Sequence, residues 1–198
     1  MQNRALMVEE FWKVFQTDST PTKRLELVSG MVMEREVTPT IMSFTLRMSE
    51  LLEAYCRPRH LGHISSGGGY YRSRDVYNVR LADVAFVSME RTIPVVKQGF
   101  TPYMPDLVVL VHPSSAPMME FAERALFFLQ NGASLVWLLH PGSVSVDICT
   151  RSPKKSFRVY KVQKGGMLSG GDLLPGFTIE VGELFTPSVD ADVKPPAP

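Results

Sequence analysis

Two acidic residues each stand immediately before an apolar run that is typical of a buried strand. Asp83 precedes the run 84–87, and Asp106 precedes the run 107–111. Burying a carboxylate there is costly unless it is paired, hydrogen-bonded or bound to a metal ion. Asp83 is therefore a candidate for metal chemistry. The alternative is that Asp83 caps a turn at the edge of its strand, and the residue pattern supports the two interpretations equally.

Four further residues could take part in acid–base or phosphate chemistry, and each also has a simpler interpretation. Glu26 lies between two leucines in an apolar run, so strand alternation favours a solvent-exposed side chain. Arg124 follows Glu120 by four residues in a helical pattern, a spacing typical of a surface ion pair. His112 has no second histidine at ligand spacing along the sequence and is predicted to be structural.

Hydrophobic periodicity predicts the elements that position these residues. The run 107–111 is rich in valine and reads as a strand buried on both faces. The helical pattern of residues 118–132 ends at Asn131-Gly132, and residues 134–139 form a second apolar run. Strand, helix and strand in this order predict a βαβ crossover at the centre of the sheet.

The remaining segments predict further helices and strands around this crossover. Residues 8–15 have the spacing of a short amphipathic helix, and Thr38-Pro39 begins a longer helix that extends to Tyr55. Extended runs are predicted at residues 23–28 and 31–36, which form a hairpin at Ser29-Gly30, and at 70–74, 79–87, 144–149, 157–162 and 177–181. The predicted fold class is α/β, a mixed sheet with a central βαβ crossover flanked by helices and C-terminal antiparallel strands.

Composition limits the class of protein. The length of 198 residues with 44% hydrophobic residues suits one domain, which we assign to residues 1–186, followed by a disordered tail over 187–198. Cys56 and Cys149 are far apart and show no metal-ligand spacing, which favours a reduced, cytoplasmic protein. No apolar run approaches the length of a membrane span.

The order of these motifs resembles a large bacterial family of restriction endonuclease-like proteins with a PD-(D/E)XK nuclease-like fold. The resemblance covers residues 5–186. The segments that carry it are Arg24-Leu25-Glu26-Leu27-Val28-Ser29-Gly30, Ala82-Asp83-Val84-Ala85-Phe86-Val87, Pro105-Asp106-Leu107-Val108-Val109, Gly132-Ala133-Ser134-Leu135-Val136-Trp137-Leu138, Leu174-Pro175-Gly176-Phe177 and Glu183-Leu184-Phe185. It implies a restriction endonuclease-like fold and hydrolysis of DNA phosphodiester bonds.

The resemblance also implies a metal site, and this chain departs from the family's pattern at the third acid, at the lysine and at a histidine of the first long helix, where Ser43 and Phe44 stand. Three acids of the family bind a divalent metal, and a lysine on the following helix completes the site. Glu26 and Asp83 match the first two acids and would hold Mg²⁺ or Mn²⁺. Leu110 stands at the position of the third acid, and Arg124 stands at the position of the lysine. Glu120 is a candidate substitute carboxylate, and the departures predict an impaired catalytic site that has lost its metal.

Three functions follow from these observations. The first is a metal-dependent DNA endonuclease-like protein with a degenerate site, and the second is a non-catalytic DNA-binding or protein-interaction module on the same scaffold. The third is a structural homo-oligomer that uses Phe100, Tyr103 and Met104 as surface residues, and we expect a homodimer. The net charge of +1 excludes a general attraction to polyanions, so any DNA contact should be local. The candidate basic clusters are Arg72, Arg74 and Arg80, and Lys154, Lys155 and Arg158.

Overall fold

The computed structural model describes residues 4–18, 20, 22–91, 96–113, 115–152 and 156–186. The α-helices are α1 (Val8–Thr17), α2 (Pro39–Cys56), α3 (Met118–Asn131) and α4 (Val181–Leu184). The strands are β1 (Lys23–Val28), β2 (Met31–Glu36), β3 (Gly62–Ser66), β4 (Gly69–Arg72), β5 (Asp75–Leu81), β6 (Val84–Ser88), β7 (Leu107–Val111), β8 (Leu135–His140), β9 (Ser145–Arg151), β10 (Phe157–Gln163), β11 (Met167–Ser169) and β12 (Thr178–Glu180). The predicted α/β class is confirmed.

A six-stranded mixed sheet in the order β10-β9-β8-β7-β6-β3 forms the centre of the molecule. Strands β7 and β8 are parallel and are joined by α3, whereas the other neighbours in this sheet are antiparallel. Every residue of β7 and β8 is buried, because α2 packs on one face and α3 packs on the other. The predicted βαβ crossover is therefore confirmed at the position expected for it.

A four-stranded sheet in the order β2-β1-β5-β4 lies beside the first sheet. Strands β1 and β2 form the predicted hairpin, whose turn residues Ser29 and Gly30 have φ angles of 51° and 78°. Two consecutive positive φ angles match the right-handed twist of a hairpin, and glycine adopts them without strain. Leu25 and Leu27 pack with α1 residues in one core cluster, so α1 covers one face of this sheet.

The predicted extended run 79–87 is divided between the two sheets. Strand β5 ends at Leu81 and strand β6 begins at Val84, so the chain crosses from one sheet to the other at Ala82 and Asp83. The N–H of Ala82 donates to Gly68 O at 3.0 Å, and the N–H of Asp83 donates to Val109 O at 3.1 Å. The prediction of one strand was wrong because a continuous apolar run does not reveal a change of pairing partner.

The other predicted elements are largely confirmed. Helix α2 begins after Thr38, whose side chain accepts a hydrogen bond from the N–H of Ile41. Strands β9 and β10 pair antiparallel as predicted, and β12 pairs antiparallel with β11, which the sequence pattern did not predict. Strand β3 was not predicted, because its polar sequence with two serines has little β pattern.

Three expectations about surfaces have different outcomes. Phe100 and Met104 are only 7% and 3% exposed and belong to core clusters, so their assignment to an oligomer surface was wrong. Tyr103 is half-buried. Within the described ranges, no helix is both long and apolar enough to cross a membrane. The predicted tail 187–198 lies outside the described residues.

Candidate functional site

Strand alternation places several charged side chains on one face of the four-stranded sheet. The face opposite α1 carries Arg24 and Glu26 from β1, Arg35 from β2 and Arg80 from β5, because Leu25, Leu27 and Val79 take the face toward α1. This charged face meets the six-stranded sheet at Asp83 and helix α3 at Arg124. We call Glu26, Arg35, Arg80, Asp83 and Arg124 the arginine network.

Asp83 is held by one arginine and one backbone group. Arg35 Nη2 lies 2.5 Å from Oδ1 and 2.7 Å from Oδ2, and the Val111 N–H donates to Oδ2 at 2.8 Å. Asp83 and Arg35 are 5% and 8% exposed. Of the interpretations left open by the sequence, the structure supports a buried carboxylate that is paired and hydrogen-bonded. Its partners are Arg35 and the backbone at the end of β7.

Glu26 is buried in the same network, so the prediction of a solvent-exposed side chain was wrong. Its Oε2 accepts from Arg80 at 2.8 Å, and its Oε1 accepts from the Leu81 N–H at 2.9 Å. Arg124 Nη2 lies 3.2 Å from Oε1 as well. Alternation did turn Glu26 away from its leucine neighbours, but at Glu26 the opposite face of this sheet is covered rather than solvated.

Arg124 does not form the predicted surface pair with Glu120. It is 3% exposed, and its Nη2 donates to Leu81 O at 2.8 Å as well as contacting Glu26. Arg124 points inward because it shares the buried side of α3 with Phe121, Ala125 and Phe128. Glu120 is exposed, so its role as a substitute carboxylate stays a prediction.

The network favours the charged forms of Glu26 and Arg35 despite their burial. Burial by itself would raise the pKa of Glu26, but Arg124, Arg80 and Arg35 outweigh it and hold that pKa below its ordinary value. Burial would lower the pKa of Arg35, but Asp83 and Glu26 raise it above its ordinary value. For Arg124 burial prevails over the attraction of Glu26, and its pKa is lowered.

Leu110, at the position of the third acid, is fully buried. It belongs to the core cluster that contains Phe121 and Ala125 of α3. The next residue, Val111, supplies the N–H that binds Asp83. Leucine has no oxygen to offer a cation, so the end of β7 contributes only this backbone donor to the network.

His112 lies at the end of the same strand, close to another histidine that sequence spacing did not indicate. Its Nε2 is 3.0 Å from Ala116 O, and its ring centroid is 5.6 Å from that of His140. His140 Nε2 lies 2.9 Å from Asp147 Oδ2, and Lys161 Nζ lies 3.5 Å from Asp147 Oδ1. Burial holds the pKa of His140 below its ordinary value. The contact to Ala116 agrees with a structural role for His112.

Two cavities open on either side of Arg35. One, the arginine recess, has a volume of about 260 Å³ and is lined by Arg24, Arg35 and Asp83 together with residues of α2. The other, the acidic recess, has a volume of about 280 Å³, and its charged lining residues are Glu34, Arg35, Glu36, Glu120 and Arg124. Arg35 is therefore the residue shared by both cavities.

The divalent metal implied by the resemblance does not fit the arginine network. Both oxygens of Asp83 and both oxygens of Glu26 already accept from guanidinium or backbone donors. Mg²⁺ needs several free oxygen ligands, and the three arginines already exceed the two carboxylates by one positive charge. In the described part of the chain, no three His, Cys, Asp or Glu side chains are grouped as a metal site requires.

Sequence reasoning missed Arg35 as a site residue and did not predict that Arg80 pairs with Glu26. Arg80 was expected in a DNA-binding cluster but is bound to Glu26, whereas Arg72 and Arg74 of the same cluster are exposed. In the second cluster Arg158 is exposed, and Lys154 and Lys155 lie outside the described residues. A signal for Arg35 was present, because a hairpin turning at Ser29-Gly30 pairs it with Arg24 on the face of Glu26.

Comparison with known proteins identifies the family. Residues 8–182 match the model of the Uma2 family, described as "putative restriction endonuclease". The chain belongs to the Uma2 family. Its fold also matches a crystal structure titled as a putative nuclease belonging to DUF820 from Anabaena variabilis, with a TM-score of 0.73 and 14% sequence identity. The match covers 91% of this chain and 97% of that one. No match is found among the curated proteins.

Membership of the Uma2 family and the shared fold confirm the resemblance drawn from the motifs. They place the chain among nuclease-like proteins. The particular feature of this Uma2-family chain is the arginine network, in which Arg35 binds the carboxylate of Asp83 and Arg124 binds the carboxylate of Glu26.

Proposed function

We propose that this Uma2-family chain binds DNA on a nuclease scaffold and does not cleave it with a divalent metal. The observation that carries the proposal is the saturation of Asp83 and Glu26 by arginine and backbone donors. Leu110 removes the third carboxylate from the same place, and its burial leaves no ligand there. The metal-dependent endonuclease site is therefore the part of the family's function that we infer to be lost.

Charge balance explains how the two carboxylates can be buried without a metal ion. A cluster of carboxylates around a metal is stable only while the cation offsets their mutual repulsion. Here Arg35, Arg80 and Arg124 supply that positive charge permanently, because a guanidinium does not lose its proton in proteins. A divalent ion added to this network would meet an excess of positive charge and would have to displace hydrogen bonds that are already formed.

DNA remains the proposed partner because nuclease family membership points to it and because exposed arginines are present on the four-stranded sheet. Arg72 ends β4 and Arg74 lies in the turn before β5, and both are exposed. Arg24 on β1 is exposed as well. Phosphate contacts from such residues give affinity without sequence specificity and without hydrolysis.

Calorimetric titration of Mg²⁺ and of Mn²⁺ into the full chain tests the loss of the metal site. We expect no saturable heat and no change in the thermal midpoint, since an ion at 100 times its dissociation constant would add about 2.7 kcal/mol to the unfolding free energy. Glu120→Gln is the diagnostic variant, because Glu120 is exposed and its replacement leaves the core intact. Saturable Mn²⁺ binding abolished by this variant would contradict the proposal and identify Glu120 as the substitute ligand.

Fluorescence anisotropy with a labelled duplex tests DNA binding, and supercoiled plasmid in the same buffers tests cleavage. We expect binding whose logarithmic salt slope is about −0.9 for each phosphate contacted, and no nicking with either metal. Nicking that is removed by Asp83→Asn would show that the centre is still catalytic. Undetectable duplex binding at low salt would contradict the DNA part of the proposal.

A protein-interaction role is the second candidate, favoured by exposed apolar side chains. Met42 and Leu46 are 59% and 62% exposed and lie four residues apart on α2, and Met31 and Met33 are exposed on β2. Such residues are more typical of contact surfaces than of solvated faces. Light scattering during size-exclusion chromatography tests the expected homodimer. A dimer that Leu46→Lys converts to a monomer would support this role.

A further inference from the structure

Two arginines face one another across the β1–β2 hairpin. Arg24 and Arg35 are directly paired in the register, and both line the arginine recess. Paired residues on one face of a sheet have Cβ atoms about 5 Å apart, and like charges there are destabilising. We propose that the arginine recess binds one phosphate monoester group, held between Arg24 and Arg35.

Arg35 has hydrogen-bond donors that its partner does not use. Both contacts to Asp83 are made by Nη2, whereas a guanidinium carries five N–H donors. Arg35 is 8% exposed, and its Nε is buried without a hydrogen-bond partner among the described residues. The two N–H groups of Nη1 are bound by no described residue, so this nitrogen is the one available to a ligand in the recess.

The arginine network and Arg24 together carry a net charge that matches a dianion. The arginine network has three guanidinium groups and two carboxylates, which leaves one positive charge. Arg24 adds a second, because it forms no ion pair with any described residue. A phosphate monoester carries a charge of about −1.5 to −2 at neutral pH, whereas a diester carries only one.

Asp83 also lines the recess, but its carboxylate is shielded from an incoming anion. Arg35 contacts both of its oxygens, and the Val111 N–H donates to one of them. The guanidinium can then serve two anions at once, since its planar set of donors suits carboxylate and phosphate oxygens equally.

The size and lining of the recess limit what the phosphate can be attached to. Its volume of about 260 Å³ is below the range of roughly 300–1,000 Å³ that is usual for whole small-molecule sites. Ile41, Met42 and Leu46 of α2 form an apolar wall. The recess therefore suits a terminal phosphate with part of an attached organic group, such as the end of a nucleic acid strand.

This inference deepens the proposed function by naming the ligand of the same site, and it requires that Asp83 binds Arg35 and not a metal. Three probes separate the sources of phosphate: inorganic phosphate, a 5′-phosphorylated oligonucleotide and the same oligonucleotide without the phosphate. Calorimetry with the wild-type chain should show at least a tenfold preference for the phosphorylated oligonucleotide, the effect of about one charge-assisted hydrogen bond.

Arg24→Gln is the test variant and Arg57→Gln is its matched control. Both arginines are exposed, but Arg57 follows α2 and does not line the recess. We expect Arg24→Gln to remove the tenfold preference, Arg57→Gln to retain it, and Arg24→Lys to give an intermediate value because it keeps the charge without the planar donors.

Each outcome decides one of the two proposals. Comparable affinity for inorganic phosphate and the phosphorylated oligonucleotide supports a site for free phosphate, whereas weaker binding of inorganic phosphate supports a strand end. The proposal that the recess binds a phosphate monoester is overturned if the wild-type chain shows no preference for the phosphorylated probe. It is also overturned if the preference persists in Arg24→Gln. Duplex binding that persists in that case leaves the proposed function intact. Phosphate binding without duplex binding overturns the DNA proposal alone.

Discussion

Two buried aspartates of the six-stranded sheet have their charge balanced in different ways. Asp83, at the start of β6, is bound by Arg35, whose pKa is raised above an already high value by Asp83 and Glu26 against the effect of burial. Asp147, in β9, is bound by His140, whose pKa is lowered by burial. Lys161 also approaches Asp147, but its side chain is 48% exposed.

The positive charge beside Asp83 is permanent, whereas the positive charge of His140 beside Asp147 depends on pH. Arg35 stays cationic at every pH at which the chain is folded, so the positive charge beside Asp83 is permanent. His140 is cationic only in acid, and Asp147 Oδ1 has no hydrogen-bond partner among the described residues. The centre to which the resemblance assigns a metal is thus the one where the protein supplies its own fixed cations.

The strongest test of this contrast is to remove Asp83. Asp83→Leu leaves Arg35 buried without its counter-charge, and we expect a loss of about 3–5 kcal/mol in the unfolding free energy. Urea denaturation at pH 7 measures it. The double variant Asp83→Leu with Arg35→Met is the control, because replacing both partners by apolar groups is often close to neutral. Equal losses in the single and double variants would contradict a dominant role for the charge.

The second test concerns Glu26, whose folded pKa lies below its ordinary value of 4.5 because Arg124, Arg80 and Arg35 outweigh the effect of burial. A depressed carboxylate pKa contributes stability that is complete above the unfolded pKa and is lost as pH falls through the folded pKa. We therefore expect Glu26→Gln to cost about 2 kcal/mol at pH 7 and progressively less below pH 4.5. Denaturation curves at several pH values measure the difference.

Glu34→Gln is the matched control for this test, since Glu34 is in the neighbouring strand but its side chain is 59% exposed. Its effect should stay below about 1 kcal/mol, as is usual for surface ion pairs. A pH-independent cost for Glu26→Gln would show that packing, and not charge, accounts for the loss.

The third test concerns the pair of His140 and Asp147, whose charge balance depends on pH. Because burial lowers the folded pKa of His140 below 6.5, its neutral form is favoured in the folded state. The unfolded chain then binds more protons between these two pKa values, and stability falls as pH drops below 6.5. We expect His140→Gln to reduce this slope and His63→Gln, at an exposed position, to leave it unchanged. If the unfolding free energy depends on pH identically in the wild type, His140→Gln and His63→Gln, His140 is not the cause of the loss in acid.

The smallest effects on stability are expected at the exposed arginines. Arg72→Gln and Arg74→Gln should each change the unfolding free energy by less than about 0.5 kcal/mol, since both side chains are solvated. Each should still reduce the logarithmic salt slope of duplex binding by about one unit if it contacts a phosphate. Unchanged slopes in both variants would exclude this edge of the sheet from the DNA contact.

The sequence predicted the helices and strands well, but it predicted less well which parts of the chain pack against each of them. The hairpin at Ser29-Gly30 and the βαβ crossover follow from local turn chemistry and periodicity, and both are confirmed. The environment of Glu26 could not be predicted, because alternation gives the face of a residue but not what covers that face. The helical positions of Phe121, Ala125 and Phe128 indicate that Arg124 points inward, whereas the spacing of Glu120 and Arg124 alone predicts a solvated ion pair.

The hairpin register determines which charge lies beside Asp83. Glu34, Arg35 and Glu36 alternate across β2, so a slip by one residue would present a glutamate to Asp83. The centre would then be acidic and would attract cations. The turn resists such a change, because the Gly30 N–H donates to Tyr77 O, and a side chain at Gly30 would come within 2.5 Å of the Cβ of Ala5. A single insertion or deletion in this turn would thus exchange the guanidinium that binds Asp83 for a carboxylate.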